Sequence, residues 1–244
     1  SKFGKSSVYF DGSDQLQFGN ENHSDFNFGT GAFTIDLWVN ASNATAAQQP
    51  FAVKHLNDGN NWIWGIDGND IEMYHRTGYG GYTQVFTGAH GMSSGRWYHL
   101  ALVRESATSW KTYVNGVQKA TSSTNVNLDI GAAQFRMGWA DNEWGASGNG
   151  YYTGFLEEYR VSKGIARWTA AFTPPVSPYE TDISTNFLIH SDTKHGDTYI
   201  LDSCDPFTFT AQASETYNVS LYVADSYDAL GNALESISIG TEPN

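Results

Sequence analysis

Residues 96–119 constrain the fold more than any other stretch. They read Arg-Trp-Tyr-His-Leu-Ala-Leu-Val-Arg-Glu, a polar gap, then Lys-Thr-Tyr-Val-Asn-Gly-Val-Gln-Lys. A run that is apolar on both alternating faces marks a central strand covered on both sides. Asn115-Gly116 between β-forming residues predicts a tight hairpin, because both turn positions need positive φ. A doubly covered strand with its own hairpin belongs in the middle of a layered β structure.

The rest of the chain agrees. Short period-two segments alternate with Gly, Asn and Ser turns, and no helical periodicity lasts beyond about two turns. Residues 8–10 and 15–18 flank an Asp-Gly turn. Residues 33–40 alternate Phe33, Ile35, Leu37 and Val39 against Thr34, Asp36, Trp38 and Asn40. Residues 62–66 and 71–74 flank a predicted hairpin turn at 67–70. Further strands are predicted at 82–86, 135–138 and 154–161, and 166–172 reads as a short helical turn. Pro174, Pro175 and Pro178 then stop any regular element and mark the best boundary. Beyond them, 187–190, 199–201, 207–210, 219–223 and 236–239 read as strands. The expected fold is all-β, a two-sheet antiparallel jelly-roll sandwich with extra C-terminal strands. Its expected division is a domain at 1–178 and a strand extension at 179–244.

Composition narrows the partners. The chain has 244 residues, 40% of them apolar and 16% charged, with 25 Gly, 14 Tyr, 14 Phe and 8 Trp, which suits a β-rich globular protein. A net charge of −13 argues against nucleic acid, whose phosphates need clustered Lys and Arg. It suits plain solubility, or carboxylates that hold a hard cation. The lone Cys204 allows no intrachain disulfide, so the fold stands on its apolar core, and a bacterial or viral source is favoured. No apolar run approaches membrane-spanning length and no signal peptide is evident, so no membrane insertion is expected. The chain is read as cut from something longer. Glycosylation patterns at Asn22, Asn40, Asn43 and Asn218 are at chance level in a chain so rich in Asn and Ser.

Enzyme patterns are weak. Gly91-Met92-Ser93-Ser94-Gly95 fits G-x-S-x-G, but that motif needs a strand before it and a helix after it. Here it is a turn feeding a strand. No run of alternating carboxylates suits glycan hydrolysis. Glu157 and Glu158 are adjacent, which places them on opposite faces of a strand. Period-two counting puts Glu157 on one face with Phe155, Tyr159 and Val161, where a carboxylate must be paired, protonated or coordinated. His190, Asp192 and His195 read as a solvated loop.

Several linked pieces resemble one family. They are Tyr9-Phe10-Asp11-Gly12, Phe28-Gly29-Thr30-Gly31-Ala32-Phe33-Thr34-Ile35-Asp36-Leu37-Trp38-Val39, and Trp97-Tyr98-His99-Leu100-Ala101-Leu102-Val103-Arg104. They continue through Tyr113-Val114-Asn115-Gly116 and Gly154-Phe155-Leu156-Glu157-Glu158-Tyr159-Arg160-Val161-Ser162 to Phe172-Thr173-Pro174-Pro175. In this order they resemble the laminin-G-like, pentraxin-like branch of the concanavalin A-like superfamily, with a tail similar to phage and environmental structural proteins. The resemblance covers residues 1 to about 178. Asn186 to Asp192 and Ile200 to Ser203 resemble the opening strands of the same domain type, which normally precede the segment found here at residues 1–7. Those strands either complete this sandwich or begin a unit that pairs with a neighbouring copy.

The resemblance implies a non-catalytic lectin-like or surface-recognition domain in an extracellular or virion-surface setting. Its expected partners are a glycan or cell-surface polysaccharide, and neighbouring copies or other virion proteins. It further implies a structural Ca²⁺ between Asp11 and Glu157, against the alternative that Glu157 bonds backbone or an Arg. Sugar sites combine aromatic rings with Asp and Asn, and such mixtures occur at Trp139, Asp141, Asn142 and Trp144 running on to Tyr151 and Tyr152, at Asn60, Asn61 and Trp62 with Trp64, and at Arg76 and Tyr79. Core packing is the competing reading for each ring. The alternative functions are a structural virion protein without a sugar ligand and a degenerate glycan hydrolase.

Overall fold

The Asn115-Gly116 hairpin forms as its residue types require, with φ of 49° and 75°. The computed structural model describes residues 1–4, 6–18, 24–57, 59–78, 81–140, 150–191, 203, 207–212 and 218–223. In chain order the strands are β1 (Val8–Asp11), β2 (Gln15–Phe18), β3 (Phe33–Ala41), β4 (Gln49–Asn57), β5 (Asn60–Asp67) and β6 (Asp70–Thr77). Then come β7 (Thr83–Ala89), β8 (Tyr98–Ser106), β9 (Ser109–Val114), β10 (Val117–Ser122), β11 (Gln134–Met137) and β12 (Trp139–Ala140). The last are β13 (Gly150–Tyr151), β14 (Thr153–Lys163), β15 (Thr185–Ile189), β16 (Phe207–Gln212) and β17 (Asn218–Val223). A single 3₁₀ turn at Ser24–Phe26 is the only helical element among the described residues, and none of these is part of a helix able to cross a membrane.

Two antiparallel sheets make the sandwich. The first runs β1-β14-β3-β8-β9-β10, with β15 also on β14; the second runs β17-β16-β2-β11-β4-β5-β6-β7. β1 and β2 therefore sit in different sheets, and the Asp11-Gly12 turn is a corner between layers. Between the sheets, Phe33, Ile35, Leu37, Val39, Leu100, Leu102 and Trp110 meet Phe51, Trp62, Trp64, Ile71, Met73 and Phe135. Phe187 and Ile189 of β15 lie in the same core, and β16 pairs with β2, so residues beyond Pro178 contribute strands to both sheets.

The outward face of the first sheet is also covered. Residues 164–183 cross it as an irregular strap, not as the helical turn expected at 166–172. Trp168 and Phe172 stack at 4.0 Å and pack on Ala101, Val103 and Tyr113, while Tyr179 packs on Trp38 and Leu188. These side chains gain their packing on the sheet from an irregular backbone, and that packing takes the place of the helical turn. The strap docks on the hairpin, where the Phe172 N–H donates to the Gly116 carbonyl at 3.1 Å. A Cβ at Gly116 would lie 1.7 Å from the Phe172 oxygen.

Beneath the strap lies a buried ion pair. Arg160 Nε and Nη2 donate to the two oxygens of Asp36, each at 3.0 Å, and His99 Nε2 lies 3.4 Å from the same carboxylate. Burial alone would raise the Asp36 carboxyl; Arg160 and His99 more than offset that and hold it below the usual carboxylate range. The pair exists because β14 carries a bulge. Its register on β3 runs Glu157↔Trp38 and then Arg160↔Asp36, so two residues of β14 stand against Leu37 alone. Glu158 takes the strain with φ 53°. The bulge corrects the face expected for Glu157: Leu156, Tyr159 and Val161 point into the core, whereas Glu157 and Arg160 point outward beneath the cover.

Two outcomes follow for stability. Gly116→Ala combines a positive φ with a clash against the strap backbone, so a loss of about 2 kcal/mol or more is expected in a denaturant melt. Asp36→Asn leaves Arg160 without its charge partner and should cost about 3 kcal/mol at neutral pH. The folded pKa of Asp36 is depressed, so its contribution is full above about pH 4 and is lost as pH falls through that lower value. The Tm gap between wild type and Asp36→Asn should therefore narrow in acid; a gap that widens would contradict this assignment.

Candidate functional site

The outward face of the second sheet carries no strap of described residues. Register fixes which side chains share it. One row runs Gln17, Arg136, Val53, Ile63, Tyr74 and Gln84 across β2, β11, β4, β5, β6 and β7. The next row runs Gln134, His55, Asn61 and Arg76. Intervening residues such as Lys54, Trp62 and His75 face the interior, where Lys54 Nζ donates to the Phe26 carbonyl at 3.2 Å and to Asn27. Val53, Ile63 and Ala140 form a small apolar cluster on the outward face, with Tyr74 packed against it.

Aromatic rings stand at two places on this face. The first is the hairpin β12–β13, which leaves β11 at Gly138. That glycine has φ 83°, and a Cβ there would meet the Phe10 ring at 2.5 Å. The hairpin pairs Trp139 with Tyr151, their rings 6.5 Å apart at 33°. The Arg136 guanidinium lies 4.5 Å over Trp139, and its Nη2 donates to Gln134 at 2.7 Å. The indole N–H of Trp139 has no hydrogen-bond partner among the described residues.

The second place is the β6–β7 edge. Tyr82, 51% exposed, meets Tyr74 edge-on at 4.8 Å, with Arg76 6.0 Å from its ring. Tyr74 donates to Glu72 at 3.1 Å and accepts from Gln84 Nε2 at 3.0 Å. Burial and the Glu72 charge push the Tyr74 phenol far up, so it stays neutral. The face thus offers flat rings, two guanidinium groups and several amides. That set can stack on an apolar ring face and hydrogen-bond hydroxyls around it.

The residues expected from sequence divide. Trp139 and Arg76 lie on this face, at its two aromatic places. Asp141, Asn142, Trp144 and Tyr79 lie outside the described residues. Tyr152 does not belong to the site. It is 1% exposed, its ring meets Phe10 and Phe51, and its hydroxyl donates to the Phe155 carbonyl at 2.8 Å. Alternation decides this, since its neighbour Tyr151 takes the outward side. Sequence reasoning missed Arg136, Tyr74 and Tyr82; strand register sets Arg136 and Tyr74 in one row, and Tyr82 joins through its ring contact with Tyr74. The Trp62 and Trp64 rings, also expected at a sugar site, lie in the core instead. Ser93 of the G-x-S-x-G match lies in the loop between β7 and β8, with no helix after it.

Asp11 and Glu157 are not brought together. Asp11 stands opposite Thr153, four residues along β14 from Glu157, which is about 13 Å of strand. Glu157 is instead engaged by the chain itself: the Lys2 and Phe3 N–H groups donate to its two oxygens at 2.7 and 3.0 Å. Burial pushes its carboxyl up, and those two N–H groups partly offset this. Asp11 caps its own turn by accepting from Ser13. These residues do not fit a shared calcium, and the described residues hold no group of three His, Cys, Asp or Glu suited to a metal. Any shift in Tm between millimolar CaCl₂ and EDTA should be the same in wild type and in Asp11→Asn; a calcium-dependent rise lost in Asp11→Asn would contradict this geometry.

A family profile described as the Concanavalin A-like lectin/glucanases superfamily matches residues 10–167. No curated protein sequence matches the chain. Among solved structures, a Bacteroides ovatus protein assigned by name alone to carbohydrate binding is similar at TM-score 0.58 and 17% identity. The alignment covers 92% of this chain and 62% of that one, so the chain spans less than two thirds of that protein. Domain 4 of the extracellular arabinanase AbnA from Geobacillus stearothermophilus, solved with arabinotriose, gives TM-score 0.49 at 17% identity, covering 66% and 71% of the two chains. The CBM40 of the Ruminococcus gnavus IT-sialidase, bound to α2,3-sialyllactose, gives 0.47 at 13% identity, covering 68% and 92%.

Proposed function

The chain belongs to the Concanavalin A-like lectin/glucanases superfamily, and from that premise we propose that it is a non-catalytic carbohydrate-binding domain. The glycan lies across the outward face of the second sheet, beside the β12–β13 hairpin. One observation carries this reading. Trp139, Tyr151, Tyr74 and Tyr82 stand on the reverse of a sheet whose inner face already has Phe51, Trp62, Trp64 and Phe135 for its core. Rings outside the inter-sheet core, next to Arg136, Arg76 and Gln84, suit stacking on a pyranose with hydrogen bonds to its hydroxyls. The shared fold with the Bacteroides ovatus protein supports the same class of ligand.

Binding energy should concentrate on the hairpin, because Trp139 combines a large ring with a stacked guanidinium. On a glycan array the wild-type chain should bind a defined oligosaccharide set. Trp139→Ala should weaken the best hit by about tenfold or more while the Tm stays within a few degrees. Binding that survives Trp139→Ala unchanged, or no binding to any glycan, would contradict the proposal.

A further inference from the structure

The strap does not reach the far end of the first sheet's outward face. There Tyr9 of β1, Phe155 of β14 and Asn40 of β3 stand side by side in one row of the register. Their chain neighbours Phe10, Leu156, Val39 and Ala41 take the core side, so alternation turns this row outward. Tyr9 is 52% exposed and Phe155 39%, and their rings lie 4.9 Å apart at 45°. Trp97, half-buried just before β8, packs with Trp38 on the same outward face. Folding gains little from two half-exposed rings in a sheet that already has a full core. The Asn40 side chain makes no hydrogen bond with the other described residues. Asp11 lies two residues along β1 on the same face, next to Asp14, which accepts its N–H at 3.1 Å.

We propose that this row is a second carbohydrate platform, taking a neutral pyranoside that stacks on Tyr9 and Phe155 and hydrogen-bonds Asn40. The row spans two strand spacings, about 10 Å. Its two half-exposed rings present roughly 200 Å² of surface, far less than the roughly 800 Å² per partner of a stable protein interface. Asp11 and Asp14, in a chain of net charge −13, oppose anionic lipid, nucleic acid and uronate alike. The Lys2 ammonium lies 4.2 Å over the Trp38 ring. What remains is a ligand with an apolar C–H face and uncharged hydroxyls. The platform is separate from the second-sheet site and rests on different residues, so the chain would carry two sugar surfaces on opposite sides of the sandwich.

The test removes the first site to expose the second. Saturation-transfer NMR is run on the Trp139→Ala chain with methyl β-D-glucopyranoside, methyl β-D-galactopyranoside, methyl α-D-mannopyranoside and glucuronic acid. Transfer to at least one neutral glycoside is expected, and transfer to glucuronic acid is not. Adding Tyr9→Ala and Phe155→Ala should cut the neutral signal at least about tenfold. Should that triple variant fold poorly, Tyr9→Lys alone on the Trp139→Ala background should cut it several-fold. A signal unchanged by these substitutions would overturn the platform, as would preference for glucuronic acid. Complete loss of transfer on Trp139→Ala alone would overturn it while leaving the second-sheet site standing.

Discussion

The buried contact between Asp36 and Arg160 is the constraint around which this sandwich is arranged. Two charges under cover are tolerated only with close pairing, and here the pairing is bidentate at 3.0 Å, with His99 beside it. The geometry needs the extra residue in β14. Without the bulge, Tyr159 would oppose Asp36 and Arg160 would turn into the apolar core. The strained backbone at Glu158 is thus tied to the placement of the ion pair. Glu158 also gains from its position: its carboxylate accepts the Tyr179 N–H at 2.7 Å and meets His190 at 2.9 Å. Bulge, ion pair and strap form one connected arrangement.

That arrangement decides which surface is free. Arg160 lies 4.2 Å under the Tyr179 ring, and His99 is ringed by Trp38, Trp168, Phe172 and Tyr179. These contacts seal most of the first sheet's outward face. The second sheet has no such strap of described residues; on its outward side Tyr82 is exposed, while Trp139, Arg136, Tyr74 and Arg76 are half-buried. The division of labour between the sheets follows from packing: one holds its cover, the other presents Trp139, Tyr151, Tyr82 and the arginines.

Local signals in the sequence were clear where they were strong. Asn115-Gly116 could make little other than a tight turn, and the alternation at residues 33–40 separates the side facing the other sheet from the side facing the strap. Period-two counting failed at Glu157, because one inserted residue reverses the phase and nothing in the letters Glu-Glu announces it. The strap was misread for a different reason. Residues 166–172 have helix-compatible composition, but Trp168 and Phe172 find partners on a sheet some sixty residues earlier in the chain. Of the candidate site, Trp139 and Arg76 were legible as aromatic or basic residues among polar neighbours. Arg136 and Tyr74 come from β11 and β6 and Tyr82 from the link before β7, and only the folded sheet brings them to one face. Tyr152 shows the opposite error: a ring beside the right loop, turned to the core by a single step of alternation.

A glycan held on the second sheet should leave the sealed face untouched, and hydrogen–deuterium exchange with a bound array-selected oligosaccharide measures both faces at once. Added protection is expected in β4, β5, β6, β11 and the β12–β13 hairpin, with none in the strap at residues 164–183. Protection concentrated in the strap, with the second sheet unchanged, would contradict the account.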